Sequence, residues 1–186
     1  MSFDSYFKKL HESILYGNDS CDCLSSVSED IIASTGLIRT VKESDNNLYI
    51  IGNGGSAAIA SHVQNDLCKG AMVRAMVFHE TSLLTAYSND ISYEDAYKEH
   101  LSIWARDGDL LIAISSSGRS KNILKAAAFA KERGCKVITF SGFSPDNPLR
   151  LMGDINFYVR SDEYGIVETA HAIILHCITD IVKHES

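Results

Sequence analysis

The sequence predicts an α/β fold: a doubly wound, five-stranded parallel sheet flanked by helices, with two further helices at the N-terminus. Three observations carry this. From Leu48 onward short apolar runs alternate with helical patterns, which is the signature of a parallel sheet. The run Leu48 to Ile51 empties into Gly52-Asn53-Gly54-Gly55-Ser56, where a helical pattern opens. The run Leu110 to Ile114 empties into Ser115-Ser116-Ser117-Gly118-Arg119-Ser120, again ahead of a helix.

Taken in order, Phe3, Tyr6, Phe7, Leu10, Ile14 and Leu15 recur at helical spacing, so residues 2–16 read as an amphipathic helix that Gly17-Asn18-Asp19 stops. Leu24, Val27, Ile31, Ser34, Ile38 and Val41 then step by threes and fours, a narrow seam of the kind that packs against other helices. These two helices precede any strand. They either cap the sheet of their own subunit or meet a neighbour, and a contribution to oligomerisation is expected. Strands are predicted at 47–51, 74–78, 109–114, 135–140 and 154–159. Helices are predicted at 56–67, 81–87, 92–104, 120–133 and 165–184. Only Pro145 and Pro148 interrupt this, both in the loop before the last strand, and no linker or repeat divides the chain. One domain over 1–186 is expected, with N-terminal helices in 1–45 and an α/β core in 46–186.

At 186 residues the chain is long enough for a substantial core. A net charge of −7 argues against nucleic acid or an anionic membrane as partner, while leaving room for a small anionic substrate. Charges in Met1 to Lys9 stand where a signal peptide needs an apolar centre, and no uninterrupted apolar run approaches the ~18 residues of a membrane span. The five cysteines follow no disulfide or zinc-finger pattern, and Cys21 and Cys23 are too close for a familiar metal spacing. Reduced thiols in a cytoplasmic protein are expected.

In doubly wound sheets ligands bind at the carboxyl ends of the strands. That edge gathers Asn53-Gly54-Gly55-Ser56, Ser88-Asn89-Asp90, the serine loop and Ser141-Gly142. Glycines let backbone approach a ligand closely, and helix N-termini present free N–H groups to anions. Four hydroxyls before a helix make a phosphate cradle that needs no buried lysine; the Walker pattern is absent. A serine-rich N-cap is the ordinary alternative. Two such loops on one sheet edge shift the balance towards a sugar-phosphate site. His62 and Asp66, four residues apart, share a helix face below it. On the last helix Glu168, His171 and His176 interrupt an apolar pattern. Glu168 and His176 lie about 12 Å apart along the axis, so they meet one metal only by leaning inward or across subunits. His11, His79, His100 and His184 have no motif around them.

On Gly52 to Ser56, His62 with Asp66, Asn89-Asp90, Ser115-Ser116-Ser117-Gly118 with Ser120, and Glu168 with His176, the chain resembles the sugar isomerase (SIS) domain proteins, most closely the phosphoheptose isomerases. The likeness covers nearly the whole length. It implies a flavodoxin-like fold and a homotetramer with sites near subunit interfaces. Asn53, Gly54, Gly55, Ser56, Asp66, Asn89, Asp90, Ser115, Ser116, Ser117, Ser120 and Glu168 would then bind the sugar phosphate. One Zn²⁺ would be held by His62, Asp66, Glu168 and His176. Asp66 stands where the family has Glu and Glu168 where it has Gln; both keep oxygen donors, and together they neutralise the dication.

The reaction implied is conversion of sedoheptulose 7-phosphate to D-glycero-D-manno-heptose 7-phosphate through an enediol, supplying heptose for lipopolysaccharide, capsule or another surface glycan. It requires a base, an acid and stabilisation of the enediolate oxygens. Asp66 is assigned as base and His176 as its acid/base partner, with Glu168 the alternative base. Other readings are a non-catalytic SIS phosphosugar sensor, an adaptor like the relatives that bind the bacterial replication initiator, or an isomerase of another ketose phosphate.

Overall fold

The computed structural model describes residues 2–15 and 23–184. In chain order these form α1 (Phe3–Leu15), α2 (Cys23–Glu43), β1 (Leu48–Ile51), α3 (Gly55–Ala71), β2 (Ala75–Val77) and α4 (Thr81–Asp90). There follow α5 (Ala96–Trp104), β3 (Leu110–Ser115), α6 (Lys121–Glu132), β4 (Lys136–Ser141), β5 (Ile155–Tyr158) and α7 (Tyr164–His184). The expected stop at Gly17-Asn18-Asp19, and Cys21, lie outside the described residues, as do the side chains of Leu15, Cys23 and Leu24.

All five strands are parallel, in the order β2-β1-β3-β4-β5. The direction of winding reverses between β1 and β3, and ligands of such sheets bind in the crevice at that reversal. Ile51 pairs with Ala113, so the glycine loop after β1 and the serine loop after β3 leave the sheet side by side.

Side-chain alternation divides the core into two layers. Leu48, Ile50, Leu110, Ile112 and Ile114 face α2, α3 and α7, meeting Ile38, Val41, Ala60, Val63, Leu67, Ile174 and Ile178. Tyr49, Ile51, Leu111 and Ala113 face α5 and α6, meeting Tyr97, Leu101, Ile123, Ala126 and Ala127. A central parallel strand is covered on both faces, which is why β3 reads as a continuous apolar run. By length and composition α7 could cross a membrane. Here Ile166, Val167, Ala170, Ile174, Leu175, Ile178 and Val182 are buried in the core instead.

The N-terminal helices cover this subunit's own sheet. Ser34, Thr35, Ile38 and Val41 of α2 are buried, and Leu10 of α1 packs with Val159, Ile166, Val167 and Ala170. Phe3, Phe7 and Ile32 stay exposed on the outer side. Helix ends differ from expectation for local reasons. α5 begins at Ala96 rather than 92, because Ser92 and Asp95 bond each other's side chain and backbone in a turn. α3 runs on to Ala71, ended by Met72 in the left-handed conformation. α4 extends to Asp90 yet buries none of its residues.

His171 is a core residue. It is wholly buried, with Nε2 3.1 Å from the Ser141 carbonyl oxygen, so the neutral ring donates there. Burial pushes its pKa down from 6.5 to about 4. Between those values the unfolded chain binds more protons than the folded one, so stability is full above pH 6.5 and is lost as pH falls towards 4. At pH 5 the expected loss is about 2 kcal/mol, or roughly 4–8 °C in Tm. His79 and His100, also pushed down by burial, steepen the same slope. Thermal melts at pH 7 and pH 5 check this: His171→Gln keeps a donor for Ser141 and should flatten the slope, whereas slopes equal to wild type would contradict it.

Candidate active site

The glycine and serine loops are held together by side chains. Asn53 Nδ2 donates to Asn122 Oδ1 at 3.0 Å, and Asn122 Nδ2 returns a bond to Asn53 Oδ1 at 2.9 Å. Tyr93 donates its hydroxyl to the same Asn53 oxygen at 2.8 Å, and Tyr97 donates to the Gly52 carbonyl at 2.6 Å. This pins the loop after β1 to the first turn of α6. Gly54 has φ 54°, and a Cβ on Gly55 would fall 2.4 Å from a Glu168 carboxylate oxygen. Glycine at 55 is therefore what lets α7 bring Glu168 against the loop. Gly118 has φ 63°, and a Cβ there would meet the side chain of buried Asn147 at 1.9 Å.

Between the loops lies a cavity of about 130 Å³ lined by Asn53, Ser56, Ile114, Ser115, Ser116, Ser117, Ser120, Tyr164 and Glu168. Its polar lining is mostly hydroxyl. Ser115 donates to Ser120 at 3.1 Å, while the buried Ser116 hydroxyl has no partner among the described residues. Neither α3 nor α6 receives a side-chain cap at its N-terminus. Two helix N-termini whose N-cap residues give no side-chain bond, and a buried hydroxyl without a partner among the described residues, suit an anion with several acceptor oxygens.

A second cluster lies further along α3 and α7. His62 Nε2 is 3.7 Å and His176 Nδ1 3.5 Å from Asp66 Oδ2, with the two rings 4.8 Å apart and nearly perpendicular. The donor atoms of these three residues lie within 4.8 Å of one another. Donors about 2.0–2.2 Å from a tetrahedral ion stand roughly 3.3–3.6 Å apart, and two imidazoles with one carboxylate are a common catalytic zinc set that keeps one position open. The residues fit the metal. Beside them a cavity of about 240 Å³ is lined by Ala58, Ile59, His62, Val63, Ala172 and His176.

Of the residues anticipated from sequence, Asn53, Ser56, Ser115, Ser116, Ser117, Ser120 and Glu168 line one cavity, with Gly54 and Gly55 at its exposed rim. His62, Asp66 and His176 converge separately. Glu168 is not in that convergence; it stands two turns up α7, at the serine cavity. Asn89 and Asp90 are exposed at the end of α4, bonded to each other at 2.8 Å, and line neither cavity. Four contributors escaped sequence reasoning: Asn122, Tyr93, Tyr97 and Tyr164. Only Asn122 left a signal, as a polar residue directly after the serine loop.

The SIS domain family model matches residues 16–142. A probable phosphoheptose isomerase of Thermoplasma acidophilum is 32% identical over 84% of this chain and 89% of its own length. The phosphoheptose isomerase of Coxiella burnetii is 31% identical over 84% of this chain and 83% of its own. Among solved structures, a phosphoheptose isomerase from Francisella tularensis superposes with a TM-score of 0.84 at 25% identity, covering 97% of this chain and 96% of that one. The chain belongs to the SIS domain family and, within it, to the phosphoheptose isomerases.

Proposed function

We propose that the chain interconverts sedoheptulose 7-phosphate and D-glycero-D-manno-heptose 7-phosphate through an enediol. The observation that carries this is the separation of the two clusters on one helix. Glu168 borders the serine cavity, and His176 in the second cluster lies eight residues on, about 12 Å along α7. Six C–C bonds of about 1.5 Å, extended, span roughly 7–8 Å, and a phosphate group with its contacts covers the remainder. A seven-carbon sugar phosphate anchored among the serines thus presents C1 and C2 to His62, Asp66 and His176. A three-carbon ketose phosphate falls short.

In this reading the phosphate oxygens accept from Ser115, Ser116, Ser117 and Ser120 and from the N–H groups opening α6. Anchoring far from the reacting carbons converts binding into orientation. His62, Asp66 and His176 would hold Zn²⁺, which would supply Lewis-acid polarisation of the substrate's carbonyl oxygen. Asp66 faces the two imidazoles with Oδ2, and we assign its other oxygen as the base that takes the proton α to the carbonyl. His176 moves the proton between the neighbouring oxygens. Glu168 and Asn53 take hydroxyls along the chain, and Asn89-Asp90 is assigned to the sugar phosphate by likeness to the family.

The working form in this proposal is a cytoplasmic homotetramer serving surface-glycan heptose supply. Exposed Phe3, Phe7 and Ile32 on α1 and α2 support association, and the net charge of −7 supports a partner set without nucleic acid or membrane. Turnover of sedoheptulose 7-phosphate against five- and six-carbon ketose phosphates, with and without a chelator, tests the assignment. Turnover confined to the heptulose, lost on chelation and restored by Zn²⁺, is expected. Binding without turnover would favour the sensor or adaptor reading, and preference for a shorter ketose would reassign the substrate.

A further inference from the structure

Asp66 faces more nitrogen than a metal ligand needs. Lys183, in the last turn of α7, holds its Nζ 3.6 Å from Oδ2, the oxygen that also faces His62 and His176. The same ammonium is 3.3 Å from Asp180 Oδ1, one turn earlier on α7. Its stem crosses to α3 over Gly70, where a Cβ would fall 2.6 Å from Lys183 Cε. Gly70 lies inside α3, where alanine is the better helix former by about 1 kcal/mol; here the missing side chain makes the channel through which the lysine reaches Asp66.

We propose that Lys183 is a built-in counter-cation that competes with the metal for Asp66 and sets the affinity of the site; this rests on the zinc reading above. An ammonium against the ligand carboxylate stabilises the metal-free cluster and repels an arriving dication. Asp180 gives the flexible stem a second carboxylate to swing to, so the lysine can yield without losing a partner. The site therefore holds its metal less tightly than two imidazoles and a carboxylate would alone.

The test is the Kd for Zn²⁺ alone, measured by competition with a chromophoric chelator, on the whole chain and on Lys183→Met, Lys183→Arg and Gly70→Ala. Methionine keeps the stem and removes the charge, so binding on the order of tenfold tighter is expected. Arginine keeps the charge and should bind near wild type. Gly70→Ala evicts the outer stem while favouring the helix, so it folds whatever Lys183→Met does and should also bind more tightly. Equal or weaker binding by Lys183→Met overturns the proposal while leaving the zinc site standing. No binding by wild type overturns the zinc reading, and this proposal with it.

Discussion

Asp66→Asn is expected to lower kcat on sedoheptulose 7-phosphate about a thousandfold, with little change in Tm. General-base catalysis by a placed carboxylate contributes roughly 10²–10⁴ to a rate, and the amide can neither take a proton nor neutralise a dication. Stability should hold because Asp66, half-buried between α3 and α7, makes only ion pairs that solvent reaches from the side of the other residue. Its ion pairs are with His62, His176 and Lys183, all reached by solvent, and such pairs contribute about 0–1 kcal/mol. His176→Ala should lose a comparable factor, and the double variant little more, because both residues act at one centre. Glu168→Gln is the contrasting case. Glu168 lies outside the converging donors, so turnover should survive its neutralisation with a change mainly in KM. Steady-state kinetics on the three variants decide this. A collapse of kcat in Glu168→Gln, with Asp66→Asn near wild type, would move the base to Glu168.

Ser116→Ala should raise KM about ten- to a hundredfold with no loss of stability. A hydrogen bond to a charged group is worth about 1.5–3 kcal/mol, which sets that range. The Ser116 hydroxyl is buried and without a partner among the described residues, so the folded chain carries its desolvation cost without a bond in return. Deleting it should leave Tm unchanged or slightly higher, whereas a serine serving only as a structural cap would lose stability and leave KM alone. Inorganic phosphate, tested as a competitive inhibitor, gives the matching readout: its inhibition constant should rise by the same factor. An unchanged constant would take Ser116 out of the cradle.

The sheet and both ligand loops were legible because each rests on short-range rules. Apolar runs of four to six residues mark the strands, and the glycines and serines mark the turns that follow them. Strand order was not legible in the same way: a parallel pattern with right-handed crossovers allows several orders, and β2-β1-β3-β4-β5 is set by long-range packing. Helix ends were less legible where a side chain captures the backbone, as Ser92 and Asp95 do ahead of α5. The partition of the site was beyond sequence for a different reason. Glu168 and His176 share α7, but which way each leans depends on what α3 offers: the bare backbone of Gly55 for one and Asp66 for the other. Asn122, which locks Asn53, looks like any first-turn asparagine until the two loops are adjacent. Lys183 reaches Asp66 from far along the chain, through a gap that exists only because residue 70 is glycine. The N-terminal helices show the limit of periodicity: the seam of α2 packs on its own sheet, and the exposed Phe3, Phe7 and Ile32 lie off it.

Proton abstraction at C1 of sedoheptulose 7-phosphate, with a proton returned to C2, is tested most directly by turnover in D₂O. Sedoheptulose 7-phosphate incubated with the protein and Zn²⁺ should give a heptose 7-phosphate carrying solvent deuterium at C2, seen as loss of the C2 proton signal by NMR, because the enediol exchanges its proton with water before the second transfer. A product whose C2 hydrogen came wholly from C1 of the substrate, with no solvent deuterium, or no product at all, would contradict the enediol route.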